Sequence, residues 1–161
     1  MGIEMKIEGM DEIGRMLNDL EEHAQGIGAQ GLYDGAHVMS EEIQTQARSI
    51  KTSAFRYAKG SRTRNPSPEE RDIITGAGAG IAKFDKNGSE IQTSVGYSGS
   101  GYVMAAWGKM VPVAKIANAI NSGTSFMPKQ PFIRKAATKG KARAEAAIVK
   151  TIEEGYNKLI K

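Results

Sequence analysis

The chain has no cysteine among its 161 residues, and it is poor in aromatic residues, with four phenylalanines, five tyrosines and one tryptophan. The absence of cysteine excludes disulfide bonds, thiolate metal sites and cysteine nucleophiles. No window approaches the roughly 18 apolar residues of a membrane span, and no apolar run near the N-terminus has signal-peptide length. We therefore expect one domain over residues 1–161, with no membrane segment and no cleavable signal.

Sequence motifs of catalysis are missing as well. The two histidines, His23 and His37, stand fourteen residues apart without the HExxH spacing of a zinc site. The glycine run at 76–80 follows an acidic stretch rather than a hydrophobic strand, so it does not fit the GxGxxG phosphate motif. Neighbouring acidic residues point about 100° apart on a helix and do not form a catalytic dyad. The sequence predicts no enzyme, no cofactor and no metal site.

Charge is distributed unevenly along a chain whose net charge is +4. Residues 1–50 hold ten acidic and three basic residues, whereas residues 51–161 hold eight acidic and nineteen basic ones. Three interpretations stay open. Acidic and basic helices pack together within one monomer, opposite faces of neighbouring copies attract each other, or the basic part lies near nucleic acid.

Hydrophobic periodicity predicts helices in the first third of the chain. Apolar residues recur at helical spacing over residues 13–24 and again over residues 32–50. The pattern is interrupted near Gly26, which predicts a kink or a turn there. Gly31 and Gly35 weaken the start of the second segment.

Short strands are predicted at the N-terminus and in the middle of the chain. Residues 3–8 alternate apolar and polar, as in a half-buried strand. Residues 81–85 and 90–97 flank an Asn-Gly pair at 87–88, which is the preferred two-residue turn of a β-hairpin. Residues 102–107 fit either a strand or a helix.

Two helices are predicted in the last third. Pro112 opens a short helix that ends at Gly123, and residues 126–131 form a proline-framed extended stretch. A final helix covers about 133–160, and its predicted buried stripe consists of Ala144, Ile148, Ile152, Tyr156 and Leu159. Together these elements predict an α+β fold in which a small antiparallel sheet packs against a long N-terminal helix and a C-terminal helix.

The segment at 51–68 holds five basic residues and two prolines without an apolar period, which predicts an exposed, mobile loop. Phe55 and Tyr57 stand among these cations, a combination typical of phosphate or single-strand binding. The same cations are also ordinary for a solvent-exposed loop. The candidates for a DNA-facing loop are Arg56, Lys59, Arg62 and Arg64.

Residues 120–136 read INSGTSFMPKQPFIRKA. This segment resembles the signature of the bacteriophage tail-component family, also called neck or tail-completion proteins. In that family a Gly-Thr pair precedes a proline-rich stretch and a Pro-Phe-(Leu/Ile)-Arg-x-Ala start of the last helix. The layout of a short strand followed by a long helix also resembles the family. The structural or interface candidates on the matching positions are Gly123, Thr124, Pro128, Pro131, Phe132 and Arg134.

These residues also have an explanation that needs no partner. Gly123 permits a backbone turn that other residues resist, while Pro128 and Pro131 restrict the chain to an extended path. Phe132 then anchors that path against the core. The alternative to a docking motif is therefore a fixed corner that leads into the last helix.

The resemblance implies a structural virion protein at the head–tail junction of a long-tailed phage or prophage, as a neck, tail-completion or tail-terminator protein without catalysis. Its implied partners are other copies in a ring, head-completion proteins and tail-tube or tail-terminator proteins, with transient DNA contact and no membrane. Such a protein is made in the cytoplasm of the bacterial host. The alternative is a nucleic-acid-binding module that uses the basic loop and the C-terminal helix.

Overall fold

The computed structural model describes residues 10–53, 63–87, 90–105 and 108–160, with side chains from residue 15 onward. The strand predicted at residues 3–8 lies outside the described residues. Within them the fold is α+β, as predicted. The helices are α1 (Met10–Arg48), α2 (Pro68–Ala77), α3 (Val113–Ser122) and α4 (Phe132–Leu159). The strands are β1 (Gly80–Ile81), β2 (Asp85–Asn87), β3 (Glu90–Gln92), β4 (Val95–Gly96), β5 (Tyr102–Met104) and β6 (Met110–Pro112).

One continuous helix of 39 residues replaces the two segments predicted in the first third of the chain. The interruption predicted near Gly26 is wrong, because α1 passes through that residue without a break. The reason is a tertiary contact: α1 packs along α4, and such packing outweighs the low helix propensity of single glycines.

Glycines set how closely α1 and α4 approach each other. A Cβ atom added at Gly35 would lie 2.5 Å from Ile148 Cγ1, and one added at Gly155 would lie 2.6 Å from Ile27 Cγ2. Both distances are shorter than any packed side chain accepts, so the two helices require glycine at these points. The glycines of this contact are Gly31, Gly35, Gly140 and Gly155.

Two polar contacts fix the antiparallel register of the same helix pair. The hydroxyl of Thr151 donates to the carboxylate of Asp34 over 2.6 Å. Arg143 donates to the carboxylate of Glu42, a residue that is only 8% exposed. A buried carboxylate needs such a partner, because an unpaired charge away from water is costly.

The hydrophobic core lies at the C-terminal end of α1. Ile43, Ala47 and Ile50 pack there with Ile74 of α2, which is fully buried. α3 begins directly after Pro112 and ends before Gly123, as predicted. The residues that α3 and α4 contribute to this core are Val113, Ala117, Ile120, Phe132 and Ala136.

The predicted hairpin is confirmed, although its turn lies one residue further along the chain, which shifts the cross-strand partners by two residues. Asn87 pairs with Glu90, so the connecting residues are 88 and 89, which lie outside the described residues, instead of 87 and 88. Further from the turn, β1 pairs with β4. Between the two ladders, residues 82–84 face residues 93–94, and the extra residue makes a β-bulge. A third two-stranded ladder joins β5 to β6, so residues 102–104 are strand.

The buried stripe predicted on the last helix is wrong beyond Ile148. Tyr156 is 61% exposed, and on α1 the predicted core residues Met16 and Leu17 are 62% and 61% exposed. The register explains this: Gly155 faces Ile27, so α4 ends at Leu159 beside about residue 23 of α1. About three turns of α1 therefore extend past α4, and Met16, Leu17 and Leu20 on these turns are each more than half exposed.

We expect Gly35→Ala to lower the free energy of unfolding by about 1–2 kcal/mol, because overpacking against Ile148 exceeds the gain in helix propensity. The matched control is Gly28→Ala, where an added Cβ meets nothing within 4 Å. That variant should keep or raise stability by up to about 1 kcal/mol. Urea denaturation followed by circular dichroism measures both, and equal effects would contradict the close helix contact.

Candidate functional site

The segment between α3 and α4 forms a fixed corner, as the sequence predicts. α3 ends at Gly123, whose φ of +78° lies in the region that favours glycine. Thr124 and Met127 then exchange backbone hydrogen bonds of 2.9 and 3.3 Å across a tight turn. The backbone N–H of Gln130 donates to the backbone carbonyl oxygen of Ile120 over 2.9 Å, which brings the chain back to α3.

Two amide side chains that the sequence analysis missed hold this corner in place. The side-chain carbonyl oxygen of Asn121 accepts from the backbone N–H of Ile133 over 3.1 Å and so supplies a partner for the first turn of α4. This matters because Pro131, at the cap position, offers no side-chain acceptor. Gln130 exchanges two hydrogen bonds with the backbone of Lys51, at 2.8 and 2.9 Å.

Phe132 anchors the corner to the core, as predicted. It is 3% exposed, and its ring meets Tyr97 edge to face with the ring centroids 6.1 Å apart. Burial raises the pKa of Tyr97 to about 12, and the hydroxyl has no hydrogen-bond partner among the described residues. The other matching positions Thr124, Pro128 and Arg134 are exposed, and Pro131 is half-buried.

An apolar groove of about 700 Å³ lies beside this corner, between β6, α3 and the corner turn. We call it the corner groove. Its apolar lining includes Met110, Val111, Pro112, Ile116, Phe126 and Met127. Lys109 and Lys115 stand at its rim, and both are exposed. Met110 and Phe126 are 57% and 60% exposed, which is unusual for large apolar side chains.

The outer face of the β5–β6 ladder extends this apolar surface. Tyr102 pairs with Pro112 and Met104 with Met110, so these side chains share one face. Tyr102 is 67% and Met104 is 60% exposed. A contiguous exposed apolar patch of this kind marks an interaction surface more often than a catalytic one, and methionine adapts to varied partner shapes.

Arg64, the one predicted DNA-facing residue among the described ones, lines the corner groove. Its guanidinium donates to both carboxylate oxygens of Glu70, at 2.6 and 2.7 Å. Glu70 also accepts from the Ser67 backbone N–H in a capping box that begins α2. The DNA-facing role of Arg64 stays a prediction, and Arg56, Lys59 and Arg62 lie outside the described residues.

The pair with Arg64 governs the ionisation of Glu70. Burial raises the pKa of that carboxyl, but the hydrogen bonds from Arg64 and Ser67 together with the Arg64 charge outweigh burial. The pKa of Glu70 therefore lies below its ordinary value. Glu70 is thus a charged partner that orients Arg64 rather than a proton donor.

A glycine- and serine-lined cavity of about 430 Å³ includes Gly78 and Gly80 from the run at 76–80. The run follows the C-terminus of α2 and leads into β1. A helix C-terminus carries partial negative charge, which disfavours phosphate. This placement agrees with the sequence-based interpretation that the run is a connector.

Titratable groups are scattered over the described residues. His23 donates from Nδ1 to the Asp19 carbonyl oxygen over 2.6 Å, and His37 lies 3.7 Å from Glu41; both histidines are exposed. No group of three or more histidine, aspartate or glutamate side chains within residues 15–53, 63–87, 90–105 and 108–160 is arranged to hold a metal ion. None of the described helices has the length and apolar character that crossing a membrane requires.

Three exposed cations lie close together on the first turns of α4. Arg134, Lys135 and Lys139 line a shallow depression of about 270 Å³ with Pro131 and Thr138. None of the three forms an ion pair with another described residue. This cation cluster is the strongest positive feature of the predicted C-terminal helix.

The chain matches no protein-family model, no curated protein and no solved structure.

We expect Gly123→Ala to lower the free energy of unfolding by about 2–3 kcal/mol. The substituted residue must keep a positive φ, and its Cβ would lie 3.0 Å from the Lys129 backbone nitrogen. The matched control is Gly101→Ala, which has a φ of +76° but open space around its Cβ, so it should lose only about 1 kcal/mol. Thermal and urea unfolding measure both, and a smaller loss at Gly123 than at Gly101 would refute the packed corner.

Proposed function

We propose that this chain is a structural protein of a tailed-phage or prophage virion that joins tail to head at the junction without catalysis. The supporting observation is the corner groove: an open apolar surface beside the segment that resembles the tail-component family. Its exposed methionine and phenylalanine side chains suit a protein partner. A small-molecule site would instead bury most of its ligand and present converging polar groups.

The proposed partners are further copies of the chain, head-completion proteins, and tail-tube or tail-terminator proteins. Head-to-tail contacts between identical subunits close into rings when the rotation permits, and a ring suits a tubular tail. In such a ring the basic segment at 51–68 is a candidate for the surface near passing DNA. The roles of neck, tail-completion and tail-terminator protein all remain within this proposal.

Deleting the gene from the genome that carries it tests this proposal directly. After induction, electron microscopy should show DNA-filled heads and free tails in separate populations, because the joint between them is missing. Complementation with the intact gene should restore joined particles. Joined, infectious particles without the gene would overturn the proposal.

A second function, binding to nucleic acid, is favoured by the cation cluster on α4. The three cations lie within two helical turns of each other and line one depression, and exposed clustered cations attract phosphate groups. The exposed position of this cluster at the start of α4 leaves it open to a large ligand.

If the chain binds DNA through this cluster, replacing Arg134, Lys135 and Lys139 by glutamine should weaken binding on the order of 100-fold at low salt. The slope of log affinity against log salt concentration should also fall by the equivalent of about three phosphate contacts. The control replaces Lys141, Lys150 and Lys158 of the same helix, which lie outside the cluster. Fluorescence anisotropy with a labelled duplex measures both. Absent or salt-insensitive binding by the intact chain would exclude this second function.

A further inference from the structure

The first three turns of α1 form an exposed overhang with an apolar side. Met16, Leu17 and Leu20 are 62%, 61% and 54% exposed. Leu17 and Leu20 continue the stripe that contacts α4 further along, because Leu20, Ile27 and Gly31 recur at helical spacing. Exposed apolar side chains that line one side of a helix mark an interaction surface more often than scattered single ones do.

The overhang cannot reach the corner groove of its own chain. Leu20 and Ile43 are separated by 23 residues of continuous helix, which amounts to roughly 35 Å at 1.5 Å per residue. Ile43 lies in the core cluster together with Met127, which lines the corner groove. The groove therefore lies at the opposite end of α1 from the overhang.

Charge and shape make the two surfaces complementary. Asp19 and Glu21 are exposed and flank Leu20 at about 100° on either side of the apolar stripe. Lys109 and Lys115 line the corner groove together with its apolar residues, and both are exposed. A helix with apolar anchors at i, i+3 and i+4 is the usual occupant of such a groove.

We propose that the α1 overhang of one copy docks into the corner groove of a second copy, with Met16, Leu17 and Leu20 on Met110 and Phe126. Asp19 and Glu21 then face Lys109 and Lys115, which sets the orientation of the helix. Each copy offers one overhang and one groove at opposite ends, so the contact is heterologous and propagates from copy to copy. This inference rests on the proposed function, in which copies assemble in a ring, and it names the surfaces that meet.

Two double variants test the two surfaces of this contact one at a time. The overhang variant carries Leu17→Asp and Leu20→Asp, and the groove variant carries Met110→Asp and Phe126→Asp. All four side chains are more than half exposed, so both variants should fold, which circular dichroism checks. Val149→Asp is the matched control, because Val149 is 52% exposed on α4 and belongs to neither surface.

Sedimentation velocity over a concentration series gives the decisive result. The intact chain and the Val149 control should associate, whereas each variant alone should associate on the order of 100-fold more weakly or not at all. An equimolar mixture of the two variants should form a dimer and nothing larger, because one intact overhang meets one intact groove. A mixture that stays monomeric overturns the proposal, as does an intact chain that stays monomeric.

Other occupants of the overhang give different results in the same experiment. If two overhangs pair with each other, the groove variant alone will associate as the intact chain does. If residues 1–9 cover the overhang instead, the intact chain will stay monomeric. Either result overturns the proposal. Charge exchange gives a second measurement. Asp19→Lys with Glu21→Lys should weaken association, and adding Lys109→Glu with Lys115→Glu should restore it.

Cysteine cross-linking reports the contact directly, since the chain has no cysteine of its own. Leu20→Cys mixed with Phe126→Cys should form a disulfide-linked dimer under mild oxidation, whereas Leu20→Cys alone should not. Failure of these solution tests while heads and tails still separate without the gene would refute only the docking contact. If the solution tests succeed but joined particles form without the gene, only the role in the virion is refuted.

Discussion

The close contact between α1 and α4 is the constraint on which the rest of the structure depends. Gly35 and Gly155 permit an approach that a Cβ atom would block at 2.5–2.6 Å. Since glycine costs helix stability, its presence at these points has meaning only when the helices are together. The contact keeps α1 continuous, and the pairs of Asp34 with Thr151 and of Glu42 with Arg143 fix its register.

Register decides what is covered and what is exposed at the two ends of the helix pair. At one end, α4 stops beside about residue 23 of α1, and Leu17 and Leu20 further along the stripe of α1 are more than half exposed. At the other end, nine residues, from Gly123 to Pro131, connect the end of α3 to the start of α4 and hold the two close together. The side chains of Asn121 and Gln130 fix this connection through hydrogen bonds to the backbone of Ile133 and Lys51. The turn that carries Phe126 lines the corner groove. The overhang and the groove are thus two consequences of one helix contact.

The sequence predicts those elements whose signals are local. Pro112 and Gly123 bound α3 because each acts on its own backbone, and the alternation of residues 91–97 determines which face of the hairpin packs inward. Periodicity, by contrast, shows that a helix face is apolar but not whether a neighbour covers it. For that reason Leu17 and Tyr156 were predicted to be buried and are exposed. Gly31 and Gly35 weaken a helix considered alone, yet their spacing of four residues is also typical of a close helix contact. The sequence does not separate these two interpretations, because the difference depends on where the partner helix lies.

The residues of the corner divide by burial into two roles that the sequence could not separate. Gly123 and Phe132 face the backbone of Lys129 and the ring of Tyr97, so changes there act on folding. Thr124, Phe126 and Pro128 are exposed on the same turn, so they contribute little to the core and are available to a partner. Buried residues that shape a corner and exposed residues that use it must occur together in sequence, because a docking surface is reproducible only when its backbone is fixed. Under the proposed function, the segment 120–136 would join a folding requirement to a binding requirement at the corner groove.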